Sequence, residues 1–217
     1  MSAELPTIGT EPARASRTGT PAALLRVLAE LMIEKNSLDV SFTEIAARSG
    51  HGSALIKYYF GSKDGMLRAL ALQHGHSAVE QLNTLLDLPI SAPKKLRIHI
   101  SGIITALSRA PYLNLLVARL IHGADRETAE ELADTFVRPV VDFQRRLLEL
   151  GVKEGTMRPV DAKAFFFLTF GACDYLYSRR HVLEYGFRSG ETINDESRRH
   201  YTNAIFDIVS RGVVIEQ

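Results

Sequence analysis

No stretch of strand length in these 217 residues alternates apolar and polar positions with a period of two, whereas spacings of three and four recur from residue 20 onward. A half-buried strand needs the first pattern and a helix the second, so the chain is constrained to an all-α fold. The first helix is predicted to open at Thr20-Pro21, Thr as cap and Pro at the first helical position, where its missing N–H costs nothing. It runs to about Lys35 with Leu24, Leu25, Leu28, Leu31 and Met32 on one face. Longer helices are predicted over roughly 92–109, 111–122, 126–151, 161–186 and 195–211, with Pro139 kinking the third of these. Residues 1–19 are rich in Ser, Thr, Pro, Gly and Ala without periodicity and read as a disordered tail.

Charge narrows the function little. Lys plus Arg is 26 against 25 Asp plus Glu, a net +1, so only a local patch can speak for nucleic acid. The 46% hydrophobic content suffices for a sizeable core. Cys173 is the sole cysteine, which suits a reducing compartment and an inert core thiol. The apolar run Phe165 to Cys173 is too short to span a bilayer, and residues 1–20 lack the pattern of a signal peptide. A cytoplasmic protein without a membrane partner is the expectation.

Residues 42–61 form the informative unit. Ser41-Phe42-Thr43-Glu44 reads as a capping box opening a short helix that Gly50 stops. A second short helix starts at Gly52-Ser53 and ends near Phe60, and a longer one starts at Ser62 and reaches the low eighties. Ile45 and Ala46 face Ile56 and Tyr59 across the turn, with Ala46 small at the crossing. A DNA-reading helix-turn-helix has these needs, but so has an ordinary helix hairpin. The continuation separates them. From Ala46 to Lys63 there are three basic residues, Arg48, Lys57 and Lys63, and no acid. The helix start at Ser62-Lys63 suits a phosphate by charge and by its free N–H groups.

Ser41 to Ala46, then Ser49-Gly50, then Tyr59-Phe60-Gly61-Ser62-Lys63-Asp64 resemble the N-terminal signature of the TetR family of bacterial transcriptional regulators. The match covers about residues 20–70. Two positions depart from it: His51-Gly52 stands where the family usually has Val-Ser, passing the cap to Ser53, and Lys57 stands where the family often has Tyr. The resemblance implies a three-helix DNA-binding domain over 20–66 and a larger helical domain for effector binding and dimerisation over 67–217. It implies DNA contact by Ser41, Thr43, Ser53, Ala54, Lys57, Tyr58, Tyr59 and Lys63. Ser53, Ala54 and Lys57 are then the candidates for base edges, Tyr58 and Lys63 for phosphate, and Tyr59 for either phosphate or core.

The helix predicted over 161–186 carries Phe165, Phe166, Phe167, Leu168, Phe170, Tyr175, Leu176 and Tyr177, apolar on nearly every side. Such a helix is buried on two sides, one by its own domain and the other by a partner subunit or by more of the same core. In the family the last two helices form the dimer interface, which implies Phe166, Phe170, Tyr177, Ile205, Ile208 and Val209 here. A small-molecule pocket is implied too, with His99, Tyr112, Arg119, His122, Asp174 and Tyr175 as polar candidates. Asp174 leads them, since a buried carboxylate needs a partner, whether a ligand or Arg179 or Arg180.

Enzyme readings find no support. His74 and His76 do not share a helix face, and neither a His-Glu-x-x-His, a phosphate loop nor a Gly-x-Ser-x-Gly elbow occurs. Catalytic residues, metal ligands and cofactors are therefore not expected. The expected function is a homodimeric repressor that leaves a pseudo-palindromic operator when a small molecule binds. The rival is a helix-turn-helix adaptor or architectural protein without an effector.

Overall fold

The computed structural model describes residues 19–179, 181–188, 190 and 193–215, the side chains of 75–78 and 184 excepted. The tail expected over 1–19 lies outside them but for Gly19. Helices α1 (Gly19–Lys35), α2 (Phe42–Ser49), α3 (Ser53–Phe60) and α4 (Lys63–Asp87) come first. Then follow α5 (Ala92–Arg109), α6 (Leu113–Gly123), α7 (Arg126–Phe136), α8 (Arg138–Lys153), α9 (Ala162–Ser178) and α10 (Asp195–Val213). The fold is all-α, and among the described residues no strand forms beyond one isolated bridge between Met157 and Val214. No single described helix is long and apolar enough to cross a membrane.

Local chemistry sets several boundaries as expected. Ser41 accepts from the Glu44 N–H while Glu44 Oε2 accepts from the Ser41 N–H at 2.8 Å, a complete capping box. Gly50 closes α2 at φ 70°, a left-handed turn that glycine adopts without strain. Asp161 caps α9 through the Ala164 N–H at 2.6 Å. Three boundaries differ. The chain breaks at Val137, so 126–151 is two helices, with Pro139 in the first turn of α8, where its missing N–H is harmless. The helix expected to reach 186 ends at Ser178, followed by a five-residue π-turn over Val182–Gly186. Gly52 rather than Ser53 caps α3, without any side-chain bond.

Two cores result. Leu24, Leu28, Met32, Ile45, Ile56, Met66 and Leu67 join α1–α4, and Tyr112, Leu116 and Val117 of α6 close over that cluster. Leu96, Ile100, Ile104, Phe143, Leu147, Phe165 and Cys173 build the second from α5, α8 and α9. Each such side chain, fully buried, is worth about 1.5–3 kcal/mol. The α5–α6 pair bends by 82° between them. Lys95, only 3% exposed, points its ammonium at the carbonyls of Leu86 and Leu88, neutralising the negative end of α4.

Candidate nucleic-acid interface and interior cavity

Helix α3 is eight residues long, so its two faces separate cleanly. Ile56 is wholly buried and Tyr59 packs partly against the same core, which places Ser53, Ala54, Lys57 and Tyr58 outward. Tyr58 is 76% exposed and meets the edge of Tyr59 at 5.4 Å. Thr43, at the start of α2, is exposed beside them. Ser41 is exposed as well, but its hydroxyl is engaged with Glu44.

The basic patch of the sequence is thinner in the fold. Arg48 makes a two-pronged pair with Glu34 at 3.0 and 2.8 Å, and Lys63 pairs with Asp39 at 2.7 Å. Hydrogen bonding from Arg48 holds the Glu34 carboxyl below its ordinary range, and Lys63 does the same to Asp39. Lys57 makes no ion pair among the described residues. The junction to α4 is tight: Ser62 Oγ accepts from the Gly65 N–H at 3.0 Å, and a Cβ at Gly65 would fall on the Phe60 carbonyl oxygen. Only glycine fits there, which fixes α3 relative to α4.

A cavity of about 440 Å³ lies in the second half of the molecule. One wall is α4, with His74, Val79, Leu82 and Leu85. A second is α5, with His99, Gly102, Ile103 and Ala106. Val117 and Ile121 of α6, Phe136 of α7, Val140 of α8, and Phe166 and Phe170 of α9 close it. Of the six polar candidates, His99 alone lines it. Tyr112 stands behind the wall, its hydroxyl 3.2 Å from His74 Nε2, and burial pushes its phenol up to about 12. Arg119 and His122 sit on the outer side of α6, Arg119 3.9 Å from Asp64. Asp174 receives the Asn114 amide at 2.7 Å and makes no ion pair with Arg179, Arg180 lying outside the described residues, and Tyr175 is exposed.

Sequence reading passed over Gln144 and Thr169, which with His99 form a buried polar cluster. Gln144 Nε2 is 3.0 Å from His99 Nε2 and 3.0 Å from Thr169 Oγ1. Each sits on an apolar stripe, Gln144 beside Phe143 and Leu147, Thr169 between Phe165 and Cys173, and that was the clue. Burial pushes the His99 imidazole down to about 3, so it is neutral. A folded-state value below the unfolded 6.5 contributes stability that is complete above 6.5 and lost as pH falls toward 3. Thermal unfolding should therefore show a Tm decline across that window that is shallower in His99→Phe, the remainder belonging to His74 and to carboxylates such as Glu44 that are also held low; an equally steep decline in the variant would assign all of it elsewhere.

The residues implied for dimerisation divide. Phe166 and Phe170 line the cavity, stacked at 5.4 Å, and Tyr177 is buried within its own subunit. Ile205, Ile208 and Val209 line a separate apolar groove between α9 and α10. Phe167 and Leu168, each 68% exposed, and Ile208 at 74% are the apolar side chains that face outward there.

The N-terminal segment, residues 24–70, matches the family described as bacterial regulatory proteins of the tetR family. Residues 89–217, more than half of the chain, match the tetracyclin repressor-like C-terminal domain. No curated protein matches the sequence. Among solved structures, a tetR-family regulatory protein from Rhodococcus RHA1 is 18% identical with a TM-score of 0.72, over 94% of this chain and 100% of that one. FadR from Bacillus subtilis, in complex with stearoyl-CoA, is 16% identical with a TM-score of 0.66, over 88% and 98%. A ketosteroid transcriptional regulator of Mycobacterium tuberculosis is 16% identical with a TM-score of 0.69, over 91% and 96%. At such identities the structures establish the fold, while the two matched segments establish the lineage: the chain belongs to the tetR family of bacterial transcriptional regulators.

Proposed function

We propose that this regulator is a repressor that holds a pseudo-palindromic operator as a homodimer and leaves it when a small molecule enters the cavity. The observation that carries this is the course of α4. It is one unbroken helix of 25 residues whose first turn adjoins the reading helix α3 and whose second half is a wall of the cavity. Arg68 of α4 pairs with Glu131 of α7, and Arg119 of α6 lies 3.9 Å from Asp64, so the far helices grip the DNA-side end of α4 as well. An effector that favours one placement of α4 shifts the population by its differential affinity, typically about 1–3 kcal/mol.

In this reading residues 20–66 are the reading head and 67–217 bind effector and partner. The exposed apolar faces of α9 and α10 meet their copies across the two-fold axis. The paired α3 helices then stand about 34–36 Å apart, or a multiple of that. Ser53, Ala54 and Lys57 face base edges, and Tyr58, Lys63 and Thr43 face phosphates, Lys63 exchanging Asp39 for DNA.

A gel shift on the upstream intergenic DNA at two salt concentrations tests the reading. The parent protein is expected to bind saturably and Lys57→Ala about tenfold more weakly. Lys63→Ala, which removes one phosphate contact per subunit, should shrink the slope of log affinity on log salt by about 2. Absence of binding to any genomic fragment at low salt would remove the repressor reading.

A further inference from the structure

Among its described side chains the cavity wall carries no carboxylate, ammonium or guanidinium, and burial favours the neutral form of its two histidines, His74 and His99. The nearby ions are committed elsewhere: Arg68 to Glu131, Arg119 beside Asp64, and Asp174 to the Asn114 amide. A charged ligand would surrender its hydration here with no counter-ion to replace it, which is strongly unfavourable.

One buried polar group is left with capacity to spare. The Gln144 amide nitrogen faces His99 Nε2 at 3.0 Å, and the Thr169 hydroxyl donates to the Phe165 carbonyl at 2.8 Å while accepting from the same amide. With Thr169 donating to the Phe165 carbonyl, the network is best satisfied when the Gln144 amide N–H faces Nε2, which assigns that nitrogen as acceptor and the single proton of the neutral ring to Nδ1. That N–H has no acceptor among the described residues, although His99 is only 3% exposed. His99 lies in the cavity wall.

Taking the cavity as the effector site, we propose that its ligand is an uncharged, mainly apolar molecule bearing a hydrogen-bond acceptor, a ketone, ester, ether or hydroxyl oxygen, that receives the His99 Nδ1–H. The cavity volume of about 440 Å³ fits a drug-sized molecule of this kind. Gln144 and Thr169 act as positioning residues, holding the tautomer.

The test uses the full chain without DNA. N-phenyl-1-naphthylamine, a neutral fluorophore whose emission rises in apolar surroundings, is titrated to saturation. It is then displaced at pH 7.5 by 2-decanone, decanoate or decylammonium, matched in chain length. The ketone is expected to displace the dye at a concentration at least about tenfold below either ion. In His99→Phe the ketone should weaken about fivefold, with the affinity of the dye, which carries no carbonyl, held within about twofold. Decanoate or decylammonium displacing as well as the ketone overturns the proposal, and so does a failure of the dye to saturate. Equal weakening of dye and ketone in His99→Phe would reduce His99 to a packing residue and overturn its assigned part. Because DNA is absent, ketone binding that leaves operator affinity unchanged keeps this ligand class and removes the effector reading instead.

Discussion

Gly102→Leu is expected to leave DNA binding at the parental level and to weaken N-phenyl-1-naphthylamine uptake by at least about 100-fold, some 2.7 kcal/mol. Gly102 lies in the middle of α5 and lines the cavity, and a Cβ built on it meets nothing within 4 Å. A leucine side chain therefore grows into empty space and takes the volume a ligand would use. The backbone there is helical without a positive φ, so no strain opposes the change. Replacing glycine inside an exposed helix turn even stabilises it, by about 0.8 kcal/mol on helix propensity. A variant with unchanged or raised Tm, parental gel shifts and no dye uptake would be a regulator locked on its DNA. Undiminished dye uptake would place the probe outside this cavity, with the α9–α10 groove the next site to examine.

Ile56→Ala should act in the opposite half of the molecule and through stability alone. Ile56 is 0% exposed and joins α3 to Leu24, Ile45 and Met66. Truncating such a side chain costs about 2–5 kcal/mol, a large share of the roughly 5–15 kcal/mol that holds a domain folded. A loss near 3 kcal/mol lowers Tm by about 6–12 °C in a chain of this size. Lys57, the next residue, faces solvent, and Lys57→Ala should move stability by less than about 0.5 kcal/mol while weakening DNA binding about tenfold. Thermal unfolding followed by circular dichroism separates the pair; similar Tm values for both variants would mean that α3 is not packed as described.

Where the sequence was informative, the chemistry was local. The Ser41–Glu44 box and the Gly50 stop act within one helix turn, and each was readable because its partner is at most four residues away. Pro139 was seen but misjudged: the same ring that kinks a helix interior also suits a first turn, and packing around Val137 decided between them. The cavity was hardly legible. Its wall is drawn from α4 to α9, with no spacing that a single helix reveals, and the polar residues that stood out, Arg119 and His122, stood out because they face solvent. Gln144 and Thr169 were hidden by being neutral. On α9 the apolar residues cover every side, so nothing in the sequence separates Phe166 and Phe170, turned to the cavity, from Phe167 and Leu168, turned outward. The same limit applies to the basic patch, since Glu34 and Asp39 precede it in sequence and close on it only in three dimensions.

In the proposed mechanism the buried Lys95 would serve α4 as a fulcrum, once the exposed pairs Arg68–Glu131 and Arg119–Asp64 give way. Its ammonium clasps the chain at Leu86 and Leu88, at one extremity of the rod, while Lys63 stands at the other, about 35 Å away at 1.5 Å per residue. Val79, in the cavity wall, lies only about 10 Å from the clasp. Rigid rotation about that fulcrum multiplies a displacement at Val79 by roughly three and a half at Lys63. An ångström of side-chain accommodation near the ligand thus becomes more than the length of a hydrogen bond at the phosphates. In the proposed dimer, two subunits swinging symmetrically about the two-fold axis would change their separation by about 7 Å, a fifth of one turn of the double helix. Under the proposed mechanism, a small ligand would unseat the protein with almost no remodelling of the core that receives it.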